Sequence, residues 1–129
     1  MVQEISPPFV ISAFANAVID QDYELAHGYL SRGLQQRLPV AELRHTLLEA
    51  EEETTPPVNF AWRRTDMGYR DWMANSDRAS APEIYPDNFV SWSCIVFHGD
   101  HESCYQLWCL LVSENDQERI GFFEITDPD

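Results

Sequence analysis

Lysine is absent from this chain of 129 residues, and its 8 basic residues are all arginines: Arg32, Arg37, Arg44, Arg63, Arg64, Arg70, Arg78 and Arg119. That excludes Schiff-base and lysine-nucleophile chemistry. Positive charge is scarce altogether: against 22 aspartates and glutamates it leaves a net charge of −14 at pH 7. Such a field disfavours nucleic acid and anionic membrane as partners. Cysteine is sparse too. Cys94, Cys104 and Cys109 have no metal-ligand spacing and are odd in number, so buried, reduced thiols are expected. No apolar run approaches eighteen residues, so no transmembrane helix is expected. Residues Met1 to Pro8 lack the basic stretch of a secretion signal, and a cytoplasmic location is the expectation. No Ser-His-Asp order, glycine-rich phosphate loop, HExxH or CxxC occurs. No cofactor or metal is therefore expected.

What is present is enough apolar material for a core. A hydrophobic content of 44% with 12% aromatics speaks against disorder despite the charge. The length suits one domain, residues 1–129, burying roughly two thirds of its unfolded surface. The first half has helical spacing: Phe9, Val10, Ala13, Phe14, Ala17 and Val18 recur at three- and four-residue steps. Asp22 can cap a second helix through Tyr23, Leu25, Ala26, Tyr29 and Leu30. Ser31-Arg-Gly33 reads as punctuation. Pro39 opens a third helix bearing Val40, Leu43, Leu47 and Leu48, which Pro56-Pro57 must end. The acidic stretches Glu49–Glu53 and Asp127–Asp129 read as solvated surface.

The second half alternates as strands over Val58–Arg64, Asn88–His98, Glu102–Ser113 and Glu118–Thr126, with a long irregular excursion over 66–87. Gly99-Asp100 reads as a two-residue hairpin loop, and Glu114–Gln117 as a looser turn. That register opposes Cys94 to Tyr105, Trp92 to Leu107, and Cys109 to Phe122. One face then carries Trp92, Cys94, Tyr105, Leu107, Cys109, Leu111, Phe122 and Glu124 and should meet the helices. The other keeps Phe89, Trp108, Leu110, Phe123 and Ile125. That is too apolar for solvent, so a second copy is expected to cover it as a homodimer through the outer sheet face.

Three N-terminal helices packed on a strongly curved antiparallel sheet make an α+β order that resembles the nuclear transport factor 2-like superfamily, the cystatin-like α+β cone. The likeness rests on three segments. Asp22-Tyr-Glu-Leu-Ala-His-Gly-Tyr-Leu-Ser31 is similar to its second helix, Pro39-Val-Ala-Glu-Leu43 to its third-helix opening, and Arg119–Thr126 to its closing strand. The resemblance implies a pocket at the wide end of the cone, and members range from isomerases, dehydratases and cyclases to non-catalytic binders, so fold does not choose function.

Glu124 is the one charge on the helix-facing side of the expected sheet, and desolvation there would raise its pKa as a general base needs. Trp92 and Tyr105 share that face and could line the pocket. Tyr23 and His27 lie four apart on one helix face, a polar pair for its rim. His98 and His101 flank the hairpin tip with Asp100 and Glu102, but no third ligand can be named, and they read as surface histidines rather than a metal site. The reading is a non-enzymatic ligand- or protein-binding domain with no catalytic set, its partner a basic protein or a small apolar ligand. The alternative is an isomerase-, dehydratase- or cyclase-like enzyme with Glu124 as base and Tyr105 or His27 beside it.

Overall fold

The computed structural model describes residues 7–51, 56–75, 84–100 and 103–127. Helices α1 (Phe9–Ile19), α2 (Tyr23–His27), α3 (Arg32–Arg37) and α4 (Val40–Ala50) precede strand β1 (Asn59–Arg64). Helix α5 (Tyr69–Asn75) and strands β2 (Phe89–His98), β3 (Ser103–Glu114) and β4 (Gln117–Thr126) follow. The strands form one open antiparallel sheet in the order β1-β2-β3-β4, so the class is α+β.

Local chemistry explains the helix boundaries. The Leu25 N–H donates to Asp22 Oδ1 at 3.2 Å, the cap expected of that aspartate. Ser31 was expected to break the chain, yet its hydroxyl accepts from the Leu34 N–H at 3.2 Å and starts α3. From the far end of β3, the Glu114 carboxylate takes the Arg32 N–H. A fourth helix therefore precedes the sheet where three were expected. The linker between α2 and α3 is tied to β4, with Ser31 N–H to Ile120 O at 2.8 Å and Ile120 N–H to Tyr29 O at 2.9 Å.

The two long hairpins close differently from expectation. Glu114 pairs with Gln117 around Asn115-Asp116, both at positive φ (53° and 63°). That is a tight type I′ turn, which asparagine and aspartate tolerate better than most residues. At the other hairpin, His98 pairs with Ser103, and Gly99 does not use positive φ. Trp92 faces Leu110, Cys94 faces Trp108 and Phe97 faces Tyr105, three places from the expected register. An odd slip exchanges the faces of β2. On β4 the expected pairing holds near the turn, with Leu111 opposite Ile120, and then slips by one, with Leu110 opposite Phe122. Gly121 is the extra residue of this bulge. An ideal Cβ there would stand 2.8 Å from Val112 Cγ1 and 2.9 Å from Ile84 Cδ1, so only glycine fits without displacement.

The main core lies between the sheet and α1–α4. It holds Ile11, Phe14, Val18, Ala26, Leu30, Leu43 and Leu47 against Ile95, Phe97, Tyr105, Leu107, Cys109, Leu111 and Ile120, with Phe123 and Ile125 packed beside them. A second cluster fills the opposite sheet face. Trp72 of α5 and Ile84 lie over Trp92, Leu110 and Val112, flanked by Tyr69, Phe89, Trp108 and Phe122. Trp92 stacks on Trp108 and Phe122 at centroid distances of 6.0 and 6.3 Å. Helix α5 and Ile84 thus cover much of the apolar surface on that face.

Candidate functional site

Three buried polar side chains come from α4, α2 and β3. Helix α4 turns its apolar face inward through Leu43 and Leu47, and one further turn along that face comes Glu51, its C-cap residue and only 7% exposed. From the start of α2 comes Tyr23, 7% exposed, on the side that carries Ala26. The third group is Tyr105 of β3, 2% exposed. The hydroxyls of Tyr23 and Tyr105 are buried without a hydrogen-bond partner among the described residues.

Electrostatics ties the three together. Burial raises the Glu51 carboxyl above its ordinary value of 4.5. Burial also raises both tyrosines, and the Glu51 charge adds to each, while Arg44 works against the rise at Tyr23. The tyrosines therefore stay protonated and serve as hydrogen-bonding hydroxyls rather than bases. The carboxyl keeps a proton to higher pH than an exposed glutamate would, so it can donate as well as accept.

The expected site residues divide. Tyr23 and Tyr105 come together; the other three do not join them. His27 is tied to the chain, its Nε2 at 2.8 Å from Leu38 O, and so does not form the expected rim pair with Tyr23. Trp92 sits on the far face of the sheet, inside the aromatic cluster, because of the β2 slip. Glu124 is exposed and pairs with Trp108 on that same face, because the bulge at Gly121 turned it outward. Its burial among Trp92, Leu107 and Phe122 does not occur, and the desolvation argument for it as a base fails. Among the described residues the buried acid is Glu51, concealed in what reads as a solvated acidic run; its position four residues after Leu47 is the available signal.

Of the histidine pair, His101 lies outside the described residues, as does Glu102. No group of three or more metal-ligating side chains occurs among the described residues, and no described helix is long and apolar enough to cross a membrane. All three cysteines are buried and unbridged. Burial pushes the Cys109 thiol up to about 12, with a lowering contribution from Ser93, and raises Cys94 as well, so neither is an activated nucleophile. Three grooves of about 390, 330 and 300 Å³ open on the surface, none lined by Tyr23, Tyr105 or Glu51.

Fold and site together define an α+β domain with a buried carboxyl–hydroxyl cluster beneath a helical layer. Comparison with known proteins finds no matching family, curated protein or solved structure.

Proposed function

We propose that the chain is a non-enzymatic binding domain of the nuclear transport factor 2-like kind, its sheet and helical layer forming a cone whose polar end takes up a small polar ligand. One observation carries the reading: two tyrosine hydroxyls are buried without partners among the described residues, beside a buried glutamate. A buried hydroxyl left unsatisfied costs about 1–3 kcal/mol, and a ligand with hydrogen-bonding atoms recovers that cost.

Tyr105→Phe tests this. Removing a hydroxyl that has no partner should raise the stability of the ligand-free protein, by about 1 kcal/mol in urea denaturation. The same change should weaken binding of small alcohols, amides and amines screened by native mass spectrometry. A variant that loses stability, or one that binds every member of the panel as the parent does, overturns the reading. A second reading keeps a pocket carboxylate as the base of an isomerase-, dehydratase- or cyclase-like enzyme and moves that role from Glu124 to Glu51. It is favoured by the raised pKa of Glu51. Turnover abolished by Glu51→Gln but retained in Glu124→Gln would select it.

A further inference from the structure

The outer face of the sheet ends in a groove that the aromatic cluster does not fill. Ala61 and Arg63 of β1, Val96 and His98 of β2, and Ser103 and Gln106 of β3 line it, and it encloses about 300 Å³, the lower end of the range for small-molecule sites. Strand pairing fixes its plan. Ala61, Val96 and Gln106 form one cross-strand row. Arg63 lies two residues from that row in one direction and His98 two residues in the other, each roughly 7 Å along the strands. The floor is thus apolar in Val96 and Ala61, with a guanidinium at one end, an imidazole and a hydroxyl at the other, and an amide in the middle. Gln106 is 7% exposed.

Charge separates this groove from the other two. Glu118 lines the first and Glu114 the second; among the described residues the third has no carboxylate in its lining, in a chain with 22 acids and 8 arginines. On the same face, Glu124 closes the row Arg63–Cys94–Trp108–Glu124. Three strand spacings put it about 14 Å from Arg63, beyond a Debye length at physiological salt. Arg63 itself hydrogen-bonds the buried thiol of Cys94, whose upward shift it opposes.

We propose that this groove binds a small aliphatic monocarboxylate, its carboxylate held by Arg63 and the Gln106 amide and its chain lying over Ala61 and Val96 towards His98 and Ser103. A guanidinium fork matches a carboxylate in geometry and charge. The net charge of −14 disfavours a polyphosphate or nucleic acid there more than a singly charged ligand. The site is on the opposite side of the sheet from Tyr23, Tyr105 and Glu51 and stands or falls independently of them.

The test is titration of the full chain with octanoate, followed by ¹H–¹⁵N NMR at the Gln106 side-chain amide and the backbone of Ala61 and Val96. Saturable shifts at these positions are expected, weakened about tenfold in Arg63→Gln, the loss of one charged hydrogen bond. Arg63 is exposed, so this variant keeps its fold. Octylamine, with the same chain and opposite charge, should leave the positions unmoved. No saturable shift up to roughly 10 mM octanoate, equal binding of octylamine, or unchanged affinity in Arg63→Gln overturns the proposal.

Discussion

The two layers that cover the sheet are built on different terms. On the helical side, aliphatic side chains from four helices surround a set of groups that can hydrogen-bond and titrate: Tyr23, Tyr105 and Glu51. On the other side a single short helix and Ile84 seat a layer of rings, with Trp72 at its centre. The contrast separates two uses of burial. The aromatic layer holds the sheet's second face out of water, and the helical layer buries two hydroxyls without a hydrogen-bond partner among the described residues.

The largest expected effect breaks the aromatic side. Trp72 is fully buried and stands 6.0–6.5 Å, ring to ring, from Tyr69, Phe89, Trp92 and Phe122. Trp72→Ala should cost about 3–5 kcal/mol in urea denaturation, and a loss below about 1 kcal/mol would show that α5 is not the cover described. Gly121→Ala strikes the same side from beneath, since its Cβ would press on Val112 and Ile84. A loss of about 1–3 kcal/mol is expected, partly restored by adding Ile84→Ala; equal stability of Gly121→Ala and parent would remove the steric argument.

The helical side should answer to pH. Because burial raises the Glu51 carboxyl in the folded chain, the folded state binds that proton more tightly than the unfolded state does. Its contribution is full below the unfolded pKa of 4.5 and is lost as pH rises through the higher folded value. Glu51→Gln should therefore denature at higher urea than the parent near about pH 8, with the gap closing towards about pH 4. A gap independent of pH would detach Glu51 from the titration. The smallest effect touches neither layer: Asp116→Gly relieves a positive φ in the β3–β4 turn and should add about 0.5 kcal/mol, read as a shift in thermal midpoint.

Most elements were legible before any coordinates. The helical stripes starting at Phe9 and Val40, the Asp22 cap and all four strands lie where spacing and turn residues put them, within a residue or two. Sheet register was not. Strand β2 carries apolar residues on both sides, with Ile95 and Phe97 on one and Trp92, Cys94 and Val96 on the other, so hydrophobic alternation could not say which faced the helices. Gly99 suggests a tight turn, whereas the two-residue turn with positive φ is at Asn115-Asp116. The cost fell on the site. Trp92 and Glu124 lie on the face opposite to the one hydrophobic alternation suggests, and the neighbours of Glu51 in the acidic run hide its place on the buried stripe.

By itself, then, the amino-acid order determined the element types and their succession, because caps, prolines and hydrophobic periods act over a few neighbouring residues. Which side of each strand is inside, what covers the second face and which carboxyl is desolvated were decided only by the tertiary structure. A single inserted residue at Gly121 and a shifted hairpin exchange faces over the rest of a strand, and no local interaction records that choice.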